Sequence, residues 1–165
     1  MRANLEIKAR GGDWERARAV ATERVGIDEQ VDTYFVTRMG RLKLRESSMS
    51  GGFLIPYLRP DIQGARRSDY QVIPIEDPDG LRELLSLQLG VHRVVKKRRE
   101  ILLYENVRIH LDVVEGLGEF VEFEAVFDGT AEQEAIQQDK VKFLMKELGI
   151  ADADLIAGSY EGMTA

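Results

Sequence analysis

Like charges recur at every second residue in several short stretches of this sequence. Arg41, Lys43 and Arg45 share one phase of a stretch whose other phase is Leu42 and Leu44. Glu122 and Glu124 alternate with Val121, Phe123 and Ala125, and Arg108, His110 and Asp112 alternate with Val107, Ile109, Leu111 and Val113. Near the start, Asn4, Glu6, Lys8 and Arg10 alternate with Leu5, Ile7 and Ala9. In a strand such residues stand on one face, roughly 7 Å apart. Like charges at that spacing repel unless a counterion lies between them. A divalent cation on the carboxylates and a polyphosphate on the cations would relieve both clusters together. A twisted antiparallel sheet with one wet side produces the same alternation, so periodicity alone does not say which face is enclosed.

The blocks of charge are separated along the chain. Residues 38–67 hold seven basic side chains against Glu46 and Asp61, whereas residues 112–139 hold nine acids and no base. Over the 165 residues, 23 Lys and Arg stand against 29 Asp and Glu, for a net charge of −6. That balance argues against duplex nucleic acid as the main partner, because such affinity rests largely on phosphate neutralisation. Absence of cysteine excludes disulfides, thiolate metal sites and thiol nucleophiles, and two histidines are too few for a His-rich metal cage. No apolar run approaches the roughly 20 residues that span a bilayer, so a cytoplasmic protein with no membrane partner is expected.

Period-two patterning predicts strands near 3–9, 30–36, 41–46, 53–59, 68–75, 94–103, 106–113 and 119–127. Turn residues separate many of them: Met39-Gly40, Ser50-Gly51-Gly52, Gln63-Gly64, Glu105-Asn106 and Glu115-Gly116-Leu117-Gly118. Arg59 closes the fourth run, which Pro56 interrupts. The sixth carries Lys97 and Arg99 on one face and Lys96 and Arg98 on the other. Three helices are predicted. One is capped by Asp13 and runs to Gly26 with Trp14, Ala17, Val20, Ala21 and Val25 on one face; the second opens at Asp77-Pro78 and stops at Gly90. The third runs from a Thr130/Gln133 capping box to Leu148, with Gly149 as terminator. Nothing resembles a repeat or linker, and residues 1–165 read as a single domain.

Order and spacing of these pieces resemble the CYTH proteins, the triphosphate tunnel metalloenzymes, and among them the class IV adenylate cyclase branch, related to thiamine triphosphatase. The resemblance runs through NLEIKAR, QVDTYF (Gln30 to Phe35), GRLKLRE (Gly40 to Glu46), YLRPD (Tyr57 to Asp61) and SDY (Ser68 to Tyr70). It continues through VVKKRRE (Val94 to Glu100), NVRIHLDVVEGLGEFVEFE (Asn106 to Glu124) and the late Ser159-Tyr160. The fold it implies is mainly β: a closed antiparallel eight-stranded barrel with flanking helices, charged faces inward and apolar faces covered by the three helices.

By resemblance, Glu6, Glu122 and Glu124 are metal ligands for Mg²⁺ or Mn²⁺, with Asp112 assisting through water. Glu6, Lys8, Glu122 and Glu124 carry the chemistry. Lys8, Lys43, Arg45, Arg59, Lys97, Arg99 and Arg108 hold phosphate oxygens, and Arg41 sits at a tunnel mouth. The implied reaction converts ATP to cyclic AMP and pyrophosphate. Alternatives that keep the site are hydrolysis of thiamine triphosphate, nucleoside triphosphates or tripolyphosphate, and binding with little turnover. Family members commonly pair, which implies a homodimer.

Asn4 departs from the family's E-x-E-x-K signature, which here reads Asn4-Leu5-Glu6-Ile7-Lys8. A neutral amide adds no charge and takes no proton, which weakens metal-assisted activation of water. Cyclisation suffers less, because its nucleophile is the substrate's own 3′-hydroxyl. His110 reads either as a proton carrier or substrate contact, or as a hydrogen-bonded structural residue. Asp32 and Tyr34 share a strand face that reaches the lumen or finds cross-strand partners, and Tyr160 reads as packing over the barrel rim.

Overall fold

A computed structural model describes residues 2–58, 66–157 and 160–163. Arg59, the Gln63-Gly64 turn and Ser159 lie outside the described residues. The strands are β1 (Arg2–Arg10), β2 (Glu23–Phe35), β3 (Arg41–Ser47), β4 (Gly51–Leu58), β5 (Arg66–Tyr70), β6 (Ile73–Ile75), β7 (Val91–Tyr104), β8 (Val107–Val114) and β9 (Gly118–Phe127). The helices are α1 (Trp14–Val20), α2 (Pro78–Leu89) and α3 (Ala131–Glu147). Short 3₁₀ turns follow at Asp152–Asp154 and Tyr160–Gly162.

Every strand pairing is antiparallel, in the order β3-β2-β7-β8-β9-β1-β5-β4-β6, and β3 also pairs with β4. The sheet therefore curls far enough to bring strands from its two ends together. The expected closed eight-stranded barrel is met in part. The sheet has nine strands, since the run expected over 68–75 divides into β5 and β6, and the β4–β5 seam holds for two residue pairs.

A second correction concerns the first helix, expected to run to Gly26. It stops at Val20, and the chain from Glu23 pairs with β7 along a register from Glu23↔Leu103 to Phe35↔Val91. Thr22 marks the switch: its backbone N–H and its hydroxyl both donate to the Leu103 carbonyl. The apolar period of the helix does continue to Val25, but pairing with the long neighbouring strand takes over there, with an irregularity between Arg24 and Gly26, and Val25 is left exposed. Helix starts are where the caps put them: Asp13, Asp77 and Thr130 accept the N–H groups of Arg16, Gly80 and Gln133.

The apolar strand faces point outward. Leu5 and Ile7 of β1, Ile109 and Leu111 of β8, and Val121 and Phe123 of β9 form one buried cluster with Ala17 of α1 and Val141 and Leu144 of α3. Each such aliphatic side chain contributes about 1.5–3 kcal/mol when fully buried. Helix α2 does not share in this covering. It lies against β2 and β3 with no buried residue, and Leu87 is 80% exposed. A second, smaller cluster (Tyr34, Ile55, Tyr57, Val95, Val114, Phe120 and Tyr160) packs on the other side of the sheet.

Gly40 sets the tight entry into β3. Its φ is +65°, and a Cβ there would stand 2.6 Å from the Tyr57 carbonyl oxygen of β4. Gly40→Ala therefore combines left-handed backbone strain with a clash against backbone. It should lower unfolding free energy by about 1–3 kcal/mol, read from the urea midpoint.

Candidate functional site

Strand register alone brings most of the charged residues side by side. Between β1 and β9, Glu6 faces Glu124 and Lys8 faces Glu122; between β9 and β8, Glu122 faces His110 and Glu124 faces Arg108. Arg99 of β7 is flanked by Asp112 and Asp28, and Lys97 by Gln30. On the far wall Asp32 faces Arg45 and Tyr34 faces Lys43. Because the alternate residues of β1, β8 and β9 are buried against helices, this set has only the concave side to occupy.

Cations gather around two buried carboxylates. Asp32, fully buried, accepts from Arg45 Nε at 2.8 Å and Nη2 at 2.7 Å, and its Oδ2 lies 3.3 Å from Lys97 Nζ and 3.4 Å from Lys43 Nζ. Burial by itself would push this carboxyl up, but Arg45, Lys43 and Lys97 together hold it well below the usual range. Asp112 receives both Nε and Nη2 of Arg99 at 2.8 Å and the Tyr160 hydroxyl at 2.8 Å. Lys97 is driven well below the ordinary lysine range by burial and by Arg99 beside it, so an arriving anion would strengthen its hold on the proton. Lys8 Nζ stands 3.8 Å and Lys97 Nζ 5.2 Å from the centre of the Tyr160 ring, so the smaller aromatic cluster supports the cations from one end.

Across from the Asp32 cations the carboxylates crowd. His110 Nδ1 lies 2.9 Å from Glu122 Oε1, while Glu122 also reaches Arg99 at 3.4 Å and Lys8 at 3.6 Å. Burial and the neighbouring Arg99 lower His110 to about 4. At neutral pH the ring is therefore uncharged, with Nδ1–H donating to Glu122 and the Nε2 lone pair available. Glu124, which is only partly buried, is pushed up to about 7 by desolvation and by Glu122 and Glu6. One ligand atom from each of His110, Glu122 and Glu124 lies within 4.8 Å of the others. Two carboxylates forced together, one of them holding its proton to neutral pH, suit a hard divalent cation.

Two adjoining cavities that share wall residues occupy the concave side. The inner one, about 50 Å³, touches Lys8, Lys97, Glu122 and Tyr160; the outer one, about 340 Å³, touches Asn4, Gln30, Phe53 and Arg108. Glu6, Lys43, Arg45, Arg99 and Glu124 border both.

Glu6, Lys8, Lys43, Arg45, Lys97, Arg99, Glu122 and Glu124 are thus brought together as the sequence suggested. Arg108 borders the outer cavity with its side chain exposed. Asp112, expected beside the metal, is bound to Arg99 and Tyr160 and does not belong to the His110–Glu122–Glu124 group. Arg41 pairs with Glu161 of the last 3₁₀ turn and borders a separate cavity of about 250 Å³ with Tyr34 and His92. Tyr160 is buried among the charged side chains and not laid over their rim. Sequence reasoning missed Asp32 as the anchor of three cations, and it missed Asp28 and Gln30 altogether. Their signal was the period-two series Asp28, Gln30, Asp32, Tyr34: Gln30 stood at the start of the expected second strand without a role, and Asp28 lay between that strand and the expected helix end at Gly26.

Comparison with known proteins agrees with this geometry. Residues 3–160 match the CYTH domain family. A Methanocaldococcus jannaschii protein named "Putative adenylate cyclase MJ0240" is 30% identical over 120 residues, which cover 71% of this chain and 67% of that protein. The PH1012 protein of Pyrococcus horikoshii superposes with a TM-score of 0.77 at 25% identity, covering 98% and 99% of the two chains. A Vibrio parahaemolyticus protein called a putative adenylate cyclase gives a TM-score of 0.71 at 20% identity over 96% and 95%, a likeness of fold.

Glu124 makes the metal-free protein pH-sensitive in a predictable direction. Its carboxyl is raised in the folded chain, so its stabilising share is full below the unfolded value near 4.5 and is lost as pH rises through 7. Glu124→Gln should therefore melt above wild type at pH 8 in EDTA and approach it at pH 4, followed by circular dichroism. A difference independent of pH would contradict the crowding described above.

Proposed function

The chain belongs to the CYTH domain family, and we propose that it closes a charged tunnel around a triphosphate and converts ATP to cyclic AMP and pyrophosphate with Mg²⁺ or Mn²⁺. One observation carries this reading: the Arg45 guanidinium and the Lys43 and Lys97 amino groups converge on a single buried carboxylate, Asp32, across from a crowded group of carboxylates. Asp32 balances one of the Arg45 and Lys43 charges, and an arriving polyphosphate would add a third by holding the proton on Lys97. The sequence relative named as an adenylate cyclase supports the cyclase over a hydrolase, as does Asn4, which removes a carboxylate from the side where water would be activated.

In this reading Lys43, Arg45, Lys97 and Arg99 hold the β- and γ-phosphate oxygens. Arginine offers a planar fork to those oxygens and lysine a movable point charge. Glu6, Glu122, Glu124 and His110 hold the divalent cation, which supplies charge neutralisation at the phosphates when bound. The 3′-hydroxyl oxygen attacks the α-phosphorus, the bond to the α,β-bridging oxygen breaks, and pyrophosphate departs into the Lys43–Arg45–Lys97 group. The hydroxyl proton passes to the acidic side, to a carboxylate oxygen of Glu124 not engaged with the cation. Lys8, against Glu122, keeps that carboxylate ionised. Developing charge is met by groups already fixed in place, which is what phosphoryl chemistry chiefly requires.

The test is a product analysis with ATP and Mg²⁺ or Mn²⁺. Cyclic AMP and pyrophosphate are expected, and Glu122→Gln or Glu124→Gln should cut the rate by about 100-fold or more with the circular dichroism spectrum unchanged. Orthophosphate as the product would replace the cyclase by a triphosphatase. Full activity in both variants would remove these residues from the site.

A further inference from the structure

The outer cavity carries two polar atoms that the triphosphate reading does not use. Asn4 Oδ1 and Gln30 Oε1 accept no hydrogen bond among the described residues, although Asn4 is 4% and Gln30 5% exposed. A buried acceptor without a donor is costly, and native proteins keep few of them. Gln30 cannot escape by turning its amide. Its Nε2 donates to Asp28 Oδ2 at 2.7 Å, and a flip would set Oε1 against that carboxylate. Asp28 is itself fixed by the Ser47 hydroxyl at 2.8 Å and the Met49 N–H at 3.1 Å. The Gln30 carbonyl is therefore held in place, with its acceptor unmet.

Placement of the pair narrows the ligand. Asn4 lies on β1 and Gln30 on β2, separated in the sheet by β7, β8 and β9, so the two residues border the cavity from opposite walls. A ligand that meets both acceptors must present hydrogen-bond donors on two edges. Its faces must also suit Phe53, Ile55, Val72 and Ile101, which line the same space. Ionised tripolyphosphate offers only acceptors and would set oxygen against oxygen. A nucleoside offers ribose hydroxyls, an exocyclic amine and flat apolar faces, and about 340 Å³ falls within the range of small-molecule pockets, roughly 300–1,000 Å³.

We propose that Asn4 and Gln30 are specificity-determining residues whose side-chain carbonyls read the hydrogen-bond donors of an amine-bearing nucleoside joined to the triphosphate. This rests on the reading of the Lys43, Arg45, Lys97 and Arg99 group as the triphosphate site. The amide at position 4 then accepts a hydrogen bond from substrate instead of ligating metal.

Calorimetric titration with Mg²⁺ separates the two levels, using tripolyphosphate and the α,β-methylene analogue of ATP as probes. Wild type should bind the adenosine probe about tenfold or more tightly than tripolyphosphate. Asn4→Leu, close in shape, and Gln30→Met should each weaken the adenosine probe by about tenfold and leave tripolyphosphate within about twofold. Ligand-free Asn4→Leu, relieved of its orphan acceptor, should melt about 2–4 °C above wild type. Equal binding of the two probes by wild type, or variants with undiminished affinity for the adenosine probe, overturns the nucleoside reading and leaves the triphosphate site standing. Failure of both probes to bind wild type overturns the two together. Equal binding by wild type overturns the nucleoside reading even where one variant does not fold, and the other variant then tests its own residue.

Discussion

Asp32 is the constraint on which the rest depends. A carboxylate with no exposed surface is tolerable only when it is ionised against close partners, and Arg45, Lys43 and Lys97 supply them. The dependence runs both ways, because three cations on one wall would repel one another without it. Removing either side would leave buried charge uncompensated, typically a loss of about 3–5 kcal/mol. The Arg99–Asp112 pair repeats the device on the neighbouring strands, locked by the Tyr160 hydroxyl. Both anchors leave the guanidinium and ammonium groups fixed before any ligand arrives.

Such an interior requires the usual burial pattern of a sheet to be inverted. Aliphatic faces of β1, β8 and β9 are sealed from outside by α1 and α3, so hydrophobic stabilisation comes from the shell and not from the middle. The middle is then free for charge, with one end shored up by Tyr34, Tyr57, Phe120 and Tyr160. Helix α2 contributes little to that shell, as its exposed Leu84 and Leu87 make plain. Among the described residues no helix is long and apolar enough to cross a membrane.

Much of this was legible in the residues themselves. The triplet Arg41, Lys43, Arg45 and the pair Glu122, Glu124 marked strands with one like-charged face, the family resemblance turned that face inward, and caps at Asp13, Asp77 and Thr130 placed three helix starts. What escaped has physical reasons. Helix period and strand pairing compete over residues 21–26, and only the distant β7 settles the outcome. Arg41 is in phase with Lys43 and opposite Tyr57 of β4, yet Glu161 captures it. Asp112 looks like any other inward acid until its register partner is known to be Arg99. His110 joins Glu122 and Glu124 because cross-strand register sets it opposite Glu122, a neighbour that β8 alone does not reveal.

The most direct measurement is a crystal structure of the protein soaked with tripolyphosphate and Mn²⁺, with data collected at the manganese absorption edge. The expected result is a triphosphate chain along Lys43, Arg45, Lys97 and Arg99 and an anomalous peak among His110, Glu122 and Glu124. Phosphate bound only on the outer surface, with no manganese signal between those side chains, would contradict a tunnel built to hold the triphosphate and its metal.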